Sequence, residues 1–274
     1  MECFSIYFFY SMSSFYIMPR VITQGSIINC CVADNYHDCQ VNGIVITPRC
    51  DLAHDGKVSF VHYLPIIDFK DWILKDGKDY LFTRWFDNKK SKFEKQCKQY
   101  SIPSNISSKD SYEKMAAAVI KVKNNYSSFM DSVNAYFGAK MDSGAFLKYI
   151  KGKDAKNILI DNLSKDSLPA YYLVEDWEKD SHSYKIILLR ELKRIGYKTA
   201  TLISKGVKAN MVNQRNDDLR FIDEQQCYIQ TQVASPFIEH IMQRFSYNFC
   251  RIGVDDRNKT QITEKLTQII NDTL

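Results

Sequence analysis

The sequence predicts an α+β protein in which strands from both ends of the chain build one small barrel or sheet around an inserted helical segment. Three observations carry that expectation. β-branched runs bounded by turn signals fill residues 21–67 and return after Pro169. Between them the apolar residues fall at helical spacing. Two separate domains would each have to close a sheet with few strands, which is unfavourable. The organisation is therefore residues 1–67 and 169–274 as a barrel or sheet domain with C-terminal helices, and residues 68–168 as a basic helical subdomain.

Taken in order, residues 1–18 are aromatic and apolar, but they lack a basic leading region and a small-residue cleavage site, and Glu2 stands where a lysine or arginine belongs. They are too short and too rich in serine and tyrosine for a membrane span. They are read as an added start, with Met12 and Met18 as alternatives, or as a segment lying on the core. Residues 21–32 form a strand with Gly25 as a bulge or turn. Residues 33–40 are a loop. Residues 41–47 are a strand that Pro48 ends, because proline cannot donate to a ladder. Asp55-Gly56 marks a turn into a strand over 58–67.

Residues 68–87 are expected to be short helical or irregular segments, and 88–100 are rich in lysine. Helices follow over 108–125, where Ser108 or Asp110 can cap, and over 128–139, 144–150 and 155–163. Strands return at 170–174, 183–192, 219–222 and 226–234. A helix runs over 236–252, with Ser235 as N-cap, Pro236 in the first helical position and Gly253 as the stop. A last helix covers 261–274.

The 274 residues carry a net charge of +5, and 45% are apolar, which argues against disorder. None of the eight cysteines forms a CxxC pair, so they are read as reduced thiols in a cytoplasmic protein. No other segment approaches a membrane span, so no membrane partner is expected. No phosphate-binding glycine loop, dinucleotide fingerprint or HExxH motif is present, which disfavours ATP hydrolysis, dinucleotide chemistry and zincin proteolysis.

Four constellations bear on function. Cys50 follows a buried strand, with His54 as a nearby base and Asp51 to orient it, the elements of a thiolate nucleophile; the structural alternative is that Asp51 caps the turn over a packed Cys50. His37-x-Cys39 and Cys50-xxx-His54 together offer four nitrogen and sulfur donors, the number a tetrahedral zinc (Zn) requires, so zinc is the candidate cofactor. From residue 88 to 156 there are fourteen lysines against six acids and no arginine. Lys89, Lys90, Lys92, Lys95, Lys121 and Lys123 are the candidate phosphate contacts, with interleaved aromatics available to stack on bases. Without arginine, sequence-specific reading is not expected. Finally, Arg244 and Arg251 lie seven apart on the last strong helix and, with Arg49, are candidates to hold an anion or an acidic partner, while Glu239 and His240 belong to its outer face.

The succession Gln24-Gly25-Ser26-Ile27, then Gly43-Ile44-Val45-Ile46-Thr47, then VSFVHYLPII over 58–67, with LLRELKRI over 188–195, resembles the strand order of the PemK/MazF toxin family. The resemblance covers about 90 residues in pieces. It implies an SH3-like barrel. The family's basic catalytic residue precedes its second strand, where this chain has Val41-Asn42-Gly43; Arg49 follows the strand instead. The expected function is an interaction or nucleic-acid-associated component of a bacterial stress or antiphage-defence system, its partner being nucleic acid held non-specifically and salt-sensitively, or a protein encoded nearby. The alternatives are a toxin-like ribonuclease or Cys-dependent hydrolase, and a zinc- or thiol-stapled scaffold.

Overall fold

The computed structural model describes residues 16–17, 21–54, 56–105, 107–119, 126–141, 143–165, 167–177, 183–212, 217–222 and 226–249. Eight strands are β1 (Tyr16–Ile17), β2 (Ser26–Ile28), β3 (Asn42–Val45), β4 (Phe60–Asp68), β5 (Tyr171–Glu175), β6 (Tyr184–Leu188), β7 (Lys193–Gly196) and β8 (Ile229–Val233). All pair antiparallel, in the order β1-β8-β2-β3-β4-β6-β5, with β7 added beside β4. The fold is α+β, and the sheet curls into an antiparallel half-barrel.

Strand β4 is the axis of that curl. It pairs with β3 over Tyr63 to Ile66, while its other edge is shared: Phe60 to Tyr63 face β7, and Ile66 to Asp68 face β6. Both of its faces are buried, which is why the segment reads as a nearly continuous apolar run. Val61, Tyr63 and Ile67 join a core completed by Trp72 and Trp85 on the helices that follow. Leu64 and Ile66 join a second core on the opposite face.

Two strand expectations change length for physical reasons. The run 21–32 narrows to β2 because Gly25 adopts φ +85°, a turn conformation. There its N–H donates to the Val45 carbonyl at 2.8 Å and its carbonyl accepts from the Val233 N–H at 2.9 Å. The run 183–192 is cut short at Leu188, and β7 begins just beyond it after a turn, the two strands pairing with different stretches of β4. Residues 219–222 contribute one bridge, Leu219 to Cys31.

Nine α-helices occur among the described residues: α1 (Arg49–Leu52), α2 (Phe69–Trp72), α3 (Lys78–Gln99), α4 (Lys109–Val119), α5 (Tyr126–Met141), α6 (Ser143–Ile150), α7 (Lys153–Ser164), α8 (Tyr197–Leu202) and α9 (Phe237–Tyr247). The 68–87 stretch is more regular than its composition suggests. A π-helical turn, Ile73–Gly77, joins α2 to α3, and Gly77 leaves room for the Trp72 indole, which a Cβ would meet at 3.0 Å. Helices α3, α4 and α5 share a core of their own around Phe93, Tyr112, Phe129 and Phe137.

Helix α9 lays Ile238 and Ile241 on the second sheet face. Ser235 does not cap it as expected. Pro236 occupies the N-cap position without a side-chain bond, and the Ser235 hydroxyl instead donates to Glu239 Oε1 at 3.0 Å. The expected helix at 261–274 and most of the N-terminal segment lie outside the described residues. No helix among the described residues is long and apolar enough to cross a membrane.

Candidate functional site

The strand-ending Pro48 is followed by the single turn α1, which carries Arg49, Cys50 and Asp51. Cys50 is exposed, and its thiol donates to Asp51 Oδ1 at 3.6 Å. Asp51 is committed to Lys57, whose ammonium lies 2.5 Å from the same oxygen. That hydrogen bond holds the Asp51 carboxyl below its ordinary range. The expected relay from Cys50 through His54 to Asp51 is therefore not assembled: Asp51 faces a lysine, and among the described residues the Cys50 thiol has no histidine partner. His62 lies on β4, where its backbone N–H donates to the Thr47 hydroxyl.

The expected zinc set is likewise not brought together. Cys39 sits beside Asp38, at 3.7 Å, and its thiol is pushed up to about 11, chiefly by burial and then by the charge of Asp71. Cys50 has the quite different neighbours just described, and the His37 carbonyl accepts from the Arg220 guanidinium. Among the described residues no three His, Cys, Asp or Glu side chains stand close enough to share a metal ion, so His37, Cys39, Cys50 and His54 form no common site.

The lysines fare differently. Trp85, Phe93 and Cys97 turn inward on α3, and Lys90, Lys92, Lys95 and Lys98 are exposed, with Lys89 half-buried at the margin. Each step of three residues turns about 60° around the axis, so Lys92, Lys95 and Lys98 form a slanting row about 9 Å long, and Lys89 lies about 180° around from Lys98. Lys90 lies beside it and approaches Glu94 at 3.9 Å. Among the described residues Lys92, Lys95 and Lys98 have no ion-pair partner. Lys121 and Lys123 lie outside the described residues. Of the interleaved aromatics, Tyr126 is exposed, but those at the centre of the helical core are not available to bases. Phe93, Tyr112 and Phe129 are at most 1% exposed, packed against one another in the helical core.

Arg49 and Arg244 do not converge. Arg49 lies 4.0 Å from Glu239 on α9. Arg244 is five residues further along that helix, hence about 140° around it, and reaches the Leu168 carbonyl at 3.5 Å. Arg251 lies outside the described residues. His240, expected on the outer face, meets the Tyr172 hydroxyl through Nδ1 at 2.8 Å.

A polar cleft appears where the sequence drew no attention. The ends of several strands meet there, bringing Asn42 of β3, Asp68 of β4, Asp71 of α2, Asp176 beyond β5, Ser183 and Lys185 of β6, and Gln230 of β8 around a cavity of about 530 Å³. The Lys185 ammonium is bonded to Asp68 and lies 3.4 Å from Asp176 Oδ2. It also sits 5.1 Å from the centre of the Trp177 ring. Burial works to lower its pKa, but the hydrogen bonds and charges of Asp68 and Asp176 outweigh that, so the value ends above the ordinary lysine value. Lys185 thus stays a cation and cannot act as a general base near neutrality. The Ser183 hydroxyl donates to Asp176 at 2.6 Å. A lysine interrupting the apolar run of β6 is the one sequence signal that points here.

No family model matches the chain, and neither the curated proteins nor the solved structures contain a match to it.

Proposed function

We propose that the protein is a nucleic-acid-associated component that binds the phosphate backbone without reading bases. The observation that carries this is the slanting row of Lys92, Lys95 and Lys98 on α3, all exposed and without an ion-pair partner among the described residues. Lysines that neutralise phosphates release condensed counterions, so such a ridge gives sequence-tolerant, salt-sensitive affinity. The inward packing of Phe93, Tyr112 and Phe129 withdraws these rings from base stacking and supports the non-specific reading.

Helices α3, α4 and α5 share a core of their own, which supports a basic helical subdomain within residues 68–168, while Trp72, Trp85, Phe146 and Leu159 pack it onto the sheet core. The consecutive antiparallel strands β2, β3 and β4 of the curled sheet support an SH3-like barrel and, with it, the toxin-like strand order and a bacterial stress or defence setting. The free thiols of Cys30, Cys31, Cys39, Cys50, Cys97 and Cys227 support the cytoplasm as the compartment. An acidic protein encoded nearby is the other occupant that this basic ridge suits.

Fluorescence-anisotropy titrations of a labelled DNA duplex and an RNA single strand against salt test the reading. Affinity should fall linearly on a log–log plot, with little difference between unrelated sequences. Affinity independent of salt, or none at all, would overturn it.

A further inference from the structure

The cleft around Lys185 is built to receive donors. Two of its amide oxygens, Asn42 Oδ1 and Gln230 Oε1, are buried and have no hydrogen-bond partner among the described residues. Asn42 is only 6% exposed and lines the cavity, and no described residue satisfies this oxygen. The carboxylates add to the same demand. Asp68 accepts one bond from Lys185, yet its side chain is 48% exposed, and Asp71 also lines the cleft.

Charge and shape narrow the ligand. Among the described lining residues, Asp68, Asp71 and Asp176 oppose Lys70 and Lys185, a balance of one negative charge. An anion is disfavoured, because the one buried cation, Lys185, is already held between two carboxylates. A neutral polyol would leave the surplus charge unmatched. Phe69 and the partly exposed Tyr184 place aromatic rings on the wall, surfaces that attract a weakly hydrated cation. A volume of about 530 Å³ admits a small molecule or one long side chain.

We propose that this cleft is a binding site for a guanidinium group, carried by a small organic cation or an arginine side chain. A planar guanidinium has five N–H donors and one positive charge. Its donors suit acceptors such as Asn42 Oδ1, Gln230 Oε1 and the Asp68 carboxylate, and its charge neutralises the surplus. The residues come from segments 42, 68–71, 176–185 and 230, so the fold, and no single motif, makes the site. The proposal is independent of the lysine ridge on α3.

The probe is methylguanidinium at millimolar concentration, followed by isothermal titration calorimetry on the full chain. Tetramethylammonium serves as a cation without donors, inorganic phosphate as an anion and glucose as a neutral polyol. Saturable binding of methylguanidinium alone is expected. Asn42→Leu, which removes the orphan acceptor while keeping similar volume, should weaken it at least tenfold, and Gln230→Leu serves as the second variant should Asn42→Leu not fold. Neither should alter the salt dependence of nucleic-acid binding. No saturable heat with methylguanidinium, equal binding by tetramethylammonium, or unchanged affinity in the folded leucine variants would overturn the proposal.

Discussion

The ammonium of Lys185 lies 3.4 Å from a carboxylate oxygen of Asp176, with both side chains under 10% exposed. Such a pair adds little over an apolar substitute, but removing one member strands the other charge in a poor solvent. Lys185→Met should therefore destabilise the fold by about 3–5 kcal/mol, measured by urea unfolding. The double variant Lys185→Met/Asp176→Asn should recover part of the loss, since it removes the stranded charge. A single variant as stable as the parent would show that the pair is not coupled to folding.

The alkaline limb of stability follows from groups held protonated in the folded state. Tyr171 is pushed up from 10 to about 12, chiefly by burial and then by the charge of Asp76. Between those values the unfolded chain has released its proton and the folded chain has not, so stability falls as pH rises through that window. Lys185 acts in the same direction: its contribution is complete below the ordinary lysine pKa and is lost as pH rises through the higher folded value. Thermal melts from pH 9 to 12 should show a falling Tm, and Tyr171→Phe should flatten the decline. A Tm that rises across this range would contradict the burial of Tyr171.

Gly43 is fixed by what stands over it. A Cβ there would lie 2.6 Å from both Cys31 Sγ and Tyr63 Cδ2, and Tyr63 is fully buried between β3 and the first core. Gly43→Ala should cost roughly 1–3 kcal/mol through overpacking, read as a lowered midpoint in urea. The double variant Gly43→Ala/Cys31→Ala, which opens one side of the clash, should recover some of it. An unchanged midpoint in the single variant would show that β3 and β4 are less closely packed than described.

Thiol reactivity separates the six described cysteines. Cys50 is exposed, whereas Cys30, Cys31, Cys97 and Cys227 are buried, and the half-buried Cys39 is pushed up to about 11. Iodoacetamide at pH 8, followed by peptide mass mapping, should label Cys50 first among these six. Cys50→Ala should leave nucleic-acid binding unchanged, because the thiol faces Asp51 and has no histidine partner among the described residues. Early labelling of Cys30 or Cys227 would contradict the burial of the sheet core.

Strand β4 was legible because nine residues buried on both faces must be apolar almost throughout. The helical middle was legible from its spacing. What sequence could not show is convergence. Asp68 and Lys185 are 117 residues apart and meet only because β4 and β6 pair antiparallel. Cys50, Asp51 and His54 drew attention because they are neighbours in sequence, yet Lys57 takes the carboxylate that the relay needed. The aromatics of the helical segment had the composition of a stacking surface, but ring packing among Phe93, Tyr112 and Phe129 shows a core. Ser235 had the right identity for a cap and spends its hydroxyl on Glu239.

The central claim is that exposed lysines on α3 meet phosphates. The most direct measurement is the slope of log affinity against log salt for the parent and for Lys92→Gln/Lys95→Gln/Lys98→Gln, on the same DNA duplex. Those three side chains are exposed, so the variant should keep the parent's Tm. Each lost phosphate contact reduces the slope by about one unit, so the account predicts a slope shallower by roughly two to three. An unchanged slope and affinity in the folded triple variant would contradict it.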